Sequence, residues 1–540
     1  MLAHHLQARH SLPRDRQQRL TARLLGVVCA ALLATGDAAA DVISVSPKGP
    51  LTTIQDGIDA AAMGDTVKVK AGLYAENPVI GAELAGLQLI AQGKVTIDAR
   101  PDSAMGTGPG LQVMADDVLV QGFTFVNAAE DEASEMFAEL QSQGAPPPGV
   151  GIYATNSGKL TVMRCTFRHN ESGGIRSLAA NVTLERNVFE SGRGPAAMLT
   201  GENMKILRNT LRLGSGGFVI SSVSSDVLLN RFDDVSGHAV EVTAGDIFLR
   251  NNRVNRPGGS AFVFDGSLLF AFRNTITDPC ADGITGTGNQ IQLNQNRMKN
   301  PGGVGTHVNA PNVTVQLNMI SATGGAAIIS EGALNNVQFN KISDCSGPAI
   351  TVSAVSFLVA HNVVRNVLCG SAVSVLEATL GDVRDNRITG ARLGGIQLAP
   401  ATSGLKVTDN IITGCILNGA DGIFIQGEQH TVSANTIKTV NRDGVRVEGD
   451  LNVIMDNLIT GAGEDGVDIQ SGDDNTVSGN TVKGCAAEGV ENNGGGTIVE
   501  GNDVTKCRAS FANDGTLASF TGNTSDDATA GTPAIPAIDS

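Results

Sequence analysis

An asparagine followed two residues later by an apolar residue recurs at Asn187, Asn209, Asn230, Asn252, Asn274, Asn296, Asn318, Asn340 and Asn362, and again at Asn386, Asn410, Asn435, Asn457, Asn480 and Asn502. The spacing is 21 or 22 residues as far as Asn362, widens to 24, 24 and 25 up to Asn435, and then returns to 22 or 23. Each unit, as in VTLERNVFESGRGPAAML, reads as an alternating strand, a two-residue turn ending in Asn, a second strand, a Gly-rich corner and a third strand. A unit this short cannot bury its own apolar face, so it must stack on copies of itself. Strands of successive units then pair in parallel, about 4.8 Å apart. Asn suits the turn because it tolerates the left-handed conformation and its amide reaches the Asn one coil away. The row is therefore structural, and Cys165 and Phe123 extend it backwards in RCTF and GFTF.

The expected fold is all-β: a single-stranded right-handed parallel β-helix of about twenty coils over residues 67–520, on the order of 100 Å long. With no Trp and only two Tyr, the core has to be built by stacking small aliphatic side chains. At the N-terminal end, Ile54, Ile58, Ala61 and Ala62 have helical spacing, which predicts a helical cap within 41–66 that covers the open end of the stack. Extra residues in the longer coils are expected at corners near Leu393, Thr402 and Leu417, since strand register cannot absorb them. Residues 127–149 interrupt the ladder with helical composition and a Pro-rich end, Phe511 and Phe520 close the last coil, and 521–540 read as a disordered tail.

Residues 1–40 read as a signal peptide. Arg9, Arg14, Arg16, Arg19 and Arg23 precede the apolar run Leu24 to Leu33, and Ala38, Ala39 and Ala40 offer a cleavage site. The run is too short to span a bilayer, so a secreted or periplasmic protein without membrane insertion is expected. The formal charge is −16 for the whole chain, and removing the leader's five Arg and two Asp makes it −19. Such a surface repels nucleic acid and anionic membranes. A monomer is expected.

The TIQDGIDAAAMGDTVKVKAGLYAEN opening, with the repeated N-x-[IVLF] and G-[IV]-x-[IV] strings, resembles the right-handed β-helix repeat proteins of the pectate-lyase-like superfamily. Within it, the regular ladder is most similar to the copper-site accessory protein of nitrous oxide reductase and to the β-helix module of mannuronan epimerases. The resemblance spans about Asp41 to Phe520 and implies a scaffold that carries lyases, hydrolases, epimerases, adhesins and non-catalytic proteins alike. Polygalacturonases on this fold pair Asp residues on neighbouring coils with a His and a basic tripeptide. Asp465, Asp468, Asp473 and Asp474 in DGVDIQSGDD resemble the acidic part only, as no Gly-His-Gly follows and the nearest basic element, Arg446, comes earlier. The epimerase aspartate-proline-histidine signature is missing, Asp278-Pro279-Cys280 being the nearest string.

The best candidate site is an acidic column. Asp421, Asp443, Asp465 and Glu488 each precede Gly, at spacings of 22, 22 and 23, which places them on four consecutive coils at one corner. Along the following strand Arg446, Asp468 and Glu491 are expected to face solvent together. Stacked carboxylates raise one another's proton affinity. Asp443, Asp465 and Asp468 are therefore candidate catalytic acids and bases for glycoside cleavage, with Arg446 binding substrate, and Asp443, Asp465, Asp468 and Asp473 are candidate calcium ligands. The plain alternative is that Asp-Gly is good corner chemistry, as at Asp282-Gly283. A second, basic candidate stacks Arg164, Arg186 and Arg208 near Arg168, His169 and Arg176, where it would hold an acidic sugar or phosphate, the plain alternative being solvated turn residues that stack by register.

The mature chain's five His, at 169, 238, 307, 361 and 430, lack metal-ligand spacing and read as isolated surface residues. Cys345, Cys415, Cys485 and Cys507 each lie five residues after a ladder Asn, so Cys485 and Cys507 either bond or pack as an inward thiol stack. Two function classes follow. One is an exported protein that binds or processes a polysaccharide along a groove of the rod, and if catalytic would be a lyase, epimerase or glycoside hydrolase. The other is a non-catalytic surface or periplasmic scaffold.

Overall fold

A computed structural model describes residues 40–99, 108–128, 149–155, 158–417 and 419–526. The expected leader, most of the 127–149 interruption and residues 527–540 lie outside these. Within them the chain forms one wholly parallel sheet of 51 strands, wound into about 21 turns. The coil that starts at Asn274 is representative: a first strand Thr275–Thr277, a second Ile284–Thr287 and a third Gln290–Asn294. Each pairs with its counterpart 22 residues on, as in Thr275↔Arg297, Ile284↔Thr306 and Gln290↔Asn312. Three faces, one per strand, therefore run the length of the rod.

Alternation puts one side chain in two on the axis. Val254, Ile276, Met298, Ile320 and Ile342 form one such buried column. Near the N-terminal end Phe125, Phe167 and Phe189 stack face to face, with centroids 5.2 and 4.8 Å apart. At the other end Phe511 and Phe520 meet edge to face at 5.2 Å and pack against the core, as expected. Among the described residues the only helix is Ile54–Asp59, opened by a Thr53–Asp56 capping box. The Glu76 carboxylate accepts from the Ile54 and Gln55 N–H groups at its start, at 2.7 and 3.0 Å. No helix of the described residues is long and apolar enough to cross a membrane.

The Asn ladder is continuous. The Asn274 N–H donates to Asn296 Oδ1 at 3.0 Å, and its Nδ2 donates to the same oxygen at 2.9 Å and to the Leu249 carbonyl at 2.8 Å. Every rung from Asn187 to Asn480 repeats this pattern in the dry interior. Cys165 takes the rung as read, its N–H on Asn187 Oδ1 at 2.9 Å. Two details differ from the sequence reading. The left-handed residue is the one before Asn, as at Arg273 with φ 54, so Asn is selected for its amide rather than for that conformation. Asn523 supplies a further rung, accepting from Asn502 at 2.9 Å, and Thr524–Ser525 pairs with Asp503–Val504, so the stack runs into the expected tail. Leu393 and Leu417 lie at corners, whereas Thr402 is buried at the end of strand Gly394–Thr402.

Nor is every histidine a surface residue. His430 is fully buried in a second, interior ladder, donating its N–H to Asn452 Oδ1 at 2.9 Å, while Asn452 donates in turn to Asn475 at 2.8 Å. Its Nδ1 accepts from the Leu405 N–H, and its Nε2 sits 3.1 Å from Thr402 Oγ1, whose proton goes to the Ala399 carbonyl. These partners suit a neutral ring, and burial pushes the pKa down to about 4. The unfolded chain therefore binds a proton that the folded one refuses. The resulting stabilisation is complete above pH 6.5 and is lost as pH falls towards 4. His430→Asn, which copies the neighbouring rungs, should remove about 3 kcal/mol of acid sensitivity. Thermal unfolding of both proteins between these pH values measures it, and parallel curves would refute it.

Candidate functional site

Asp421, Asp443, Asp465 and Glu488 stack where the second strand begins on four consecutive coils, as the spacing predicts. Each Asp carboxylate accepts the main-chain N–H of the next acid: Asp421 from Asp443 at 3.2 Å, Asp443 from Asp465 at 3.0 Å and Asp465 from Glu488 at 2.6 Å. The column is thus a charged version of the Asn ladder. Its three Asp are only 5%, 1% and 6% exposed, which sets them apart from solvated corner residues. Gly follows each acid because coils approach closely there. A Cβ at Gly444 would lie 2.5 Å from the Gly466 carbonyl oxygen.

Counter-charge is uneven. Arg442 forks onto Asp421, with Nε at 2.8 Å and Nη2 at 2.6 Å, and its Nε lies 3.2 Å from Asp443 Oδ2. The sequence reading missed it, although the Arg before Asp-Gly in NRDGV replaces the Ala or Glu of the sister coils. Arg446 pairs with Glu448 at 2.9 Å rather than with the column's carboxylates, and lies over the Phe424 ring at 5.7 Å.

Asp468 is a correction. It occupies the outward column but is only 4% exposed, because the longer Arg446 and Glu491 side chains flank it on the adjacent coils. Its Oδ1 is buried without a hydrogen-bond partner. Burial raises all three central acids, with further lift from neighbouring charge: Asp443 to about 6, Asp468 to about 7 and Asp465 to about 8.

Asp443, Asp465 and Asp468 each offer a carboxylate oxygen within 4.8 Å of the others, and Asp465, Glu488 and Glu491 form an overlapping set. Oxygen-only donors and an orphaned buried Oδ1 fit a hard divalent cation such as calcium. Asp473 is not brought to them. It lies exposed on a different row, its N–H bonded to Asp450 Oδ1 at 2.9 Å. Beside the acids, Arg442, Arg446, Phe424, Asp421 and Gln397 line an open cleft of about 270 Å³.

The other predicted groups resolve differently. Arg164, Arg186 and Arg208 do stack on consecutive coils, exposed, at left-handed positions. Arg186 and Arg208 lie 3.6 and 3.4 Å from Glu185, while Arg168 and Arg212 share Glu190, so this patch is largely neutralised. His169 is exposed beside it. Cys485 and Cys507 are adjacent but unbonded, the Cys485 N–H pointing at Cys507 Sγ at 3.2 Å.

Residues 143–271, 262–412 and 421–534 match the model of the right-handed β-helix region. The chain belongs to the right-handed β-helix family. Among curated protein sequences none matches this β-helix. Similar solved structures include an alginate lyase of polysaccharide lyase family 6, at 10% identity over 90% of this chain and 100% of that one with a TM-score of 0.27. A surface adhesin of Streptococcus pneumoniae is 12% identical over 84% and 86%, with a TM-score of 0.23. The mannuronan C-5 epimerase A-module of Azotobacter vinelandii is 14% identical over 88% and 94%, with a TM-score of 0.15. These similarities are too low to carry an activity across to this β-helix.

Proposed function

We propose that this protein is exported and binds and processes a polysaccharide at the cleft beside Asp443, Asp465 and Asp468. The observation that supports it is the unpartnered, buried Asp468 carboxylate, gathered with Asp443 and Asp465 on coils that continue from a cleft lined by Asp421, Phe424, Arg446 and Arg442, the last of which also reaches Asp443. Phe424 gives a sugar ring an apolar surface, and Arg442 and Arg446 bind hydroxyl or carboxylate groups. In such a set one carboxyl keeps its proton and serves as the acid, while Asp443, held by Arg442, stays ionised as base or nucleophile. Calcium bound by the same three acids would instead anchor a uronic-acid carboxylate.

A non-catalytic scaffold is the second reading. It is favoured by the near-complete enclosure of the column and by its main-chain bonds, which copy the Asn ladder. Incubation with uronic-acid and neutral polysaccharides, read as reducing ends and as unsaturated products, separates the two. The enzyme reading expects product from at least one polymer and a loss of rate of about 100-fold or more in Asp468→Asn. Binding without product from any of them would favour the scaffold.

A further inference from the structure

The first-strand face carries a feature unrelated to the acid column. Its two outward columns hold Arg253, Arg297, Lys341 and Arg387 in one, and Lys299 and Arg365 in the other. Lys438 and Lys483 continue the second column. From Arg253 to Lys483 neither column contains an Asp or Glu, the remaining positions being small polar or aliphatic residues such as Thr275, Ser321, Ser343 and Val363. The acid reappears only at Asp503. On a chain of formal charge −16 this is a strong local exception.

None of these cations is ion-paired with a described residue. Neighbouring cations behave differently: Arg231, one coil earlier on the same face, pairs with Asp233, and Arg250 and Arg256 bond Asp226 and Asp234. Between Arg297 and Arg365 the face is hollowed into a groove of about 450 Å³, with Lys299 and Lys341 on its walls.

Coil spacing makes the stripe about 50 Å long, and the two columns, two residues apart on a strand, make it about 7 Å wide. Acids edge parts of it, Asp278 and Asp344 after the strand and Asp385, Asp409 and Asp456 on the turn that precedes it, while the same borders carry Arg256 and Arg273 and, beside the groove, Gln295, Leu317, Phe339 and His361. A narrow positive track on a chain of formal charge −16 suits one extended polyanion better than a plane of negative charge such as an anionic bilayer. The track is also narrower than a nucleic-acid duplex, and neither column carries an aromatic side chain, the exposed Phe339 ring stacked on His361 at 4.7 Å lying on the preceding turn. We propose that the first-strand face, from Arg253 to Lys483, is a binding track for a single chain of an acidic polysaccharide running along the rod axis. The track is independent of the acid cluster.

The test measures binding of the full-length mature protein to polygalacturonate, with dextran, oligo-dT and phosphatidylglycerol vesicles as comparators. Wild type should bind polygalacturonate, more weakly as salt rises, and dextran not at all. Each exposed contact contributes a factor of roughly 1.5 to 5, so R297E/K299E/K341E/R365E should bind at least about fivefold more weakly. The milder K299Q/R365Q should fall in between, so the track stays testable should the quadruple variant misfold. Lys159→Gln, an exposed cation outside both sites that pairs with Asp117, should bind as wild type does, which separates this track from a general loss of positive charge. Unchanged affinity in both track variants, equal binding of dextran, tighter binding of oligo-dT or vesicles, or an equal loss of binding in Lys159→Gln would each overturn the proposal.

Discussion

At pH 8 the Asp465→Asn variant should unfold at a higher temperature than the wild type, and the advantage should disappear as pH is lowered towards 4. Asp443, Asp468 and Asp465 have folded-state pKa values of about 6, 7 and 8 against an ordinary 3.8. The folded site therefore holds protons that the unfolded chain has already released. The stability linked to those protons is present below pH 3.8 and is lost as pH rises through 6 to 8. Asn keeps an oxygen to accept the Glu488 N–H, now 2.6 Å from Asp465 Oδ1, and takes away the charge. Geometrically it turns this rung into one from the Asn ladder. Calcium acts in the opposite sense: at pH 8 it should stabilise the wild type, by roughly 2.7 kcal/mol at a hundred times its dissociation constant, and leave Asp465→Asn unaffected. Melts at pH 4, 6 and 8, in calcium and in chelator, decide both points. If wild type and variant share one pH slope, and calcium moves neither, the three acids do not act as a coupled set.

Asn274→Leu should cost about 3 kcal/mol or more. Its side chain satisfies the Leu249 carbonyl and accepts from both the Asn252 N–H and its Nδ2, and all of these groups are sealed from water. Leu fills the space but leaves the partners unbonded, at roughly 1–3 kcal/mol each, softened by local rearrangement. Asn274→Asp is a useful comparison, since it keeps the acceptor and loses the donor. Equilibrium denaturation with circular dichroism detection measures both, and a midpoint unchanged for Asn274→Leu would mean that the ladder bonds add nothing net.

Periodicity made the axial order legible. Residues that bond or pack once per coil recur at the coil length, so the Asn rungs, the Cys165 replacement and the stacking of Asp421, Asp443, Asp465 and Glu488 could be read directly. What happens around the coil was not legible. A period gives the column a residue belongs to, but not how far its side chain reaches into the next column. Arg442 bending onto Asp421, Asp468 sealed between Arg446 and Glu491, and Asp473 parted from the other acids are all of this kind. Burial of His430 escaped notice because its rung interrupts a row whose other members are Asn452 and Asn475. The basic track was missed because its members lie 44 to 73 residues apart within each of two columns, dispersed among the acids of a negative chain.

The rungs join each coil only to its immediate neighbours, at offsets of 21 to 25 residues. Length is consequently a free variable of this architecture. Excising one whole period, for example from Asn274 to Gln295, would leave every junction chemically equivalent to one that already exists, whereas removing ten residues would rotate all later side chains out of phase. Growth and loss by whole turns is thus the inexpensive route for such a gene to change, and a longer or shorter relative would keep its two ends and differ in the number of identical middles.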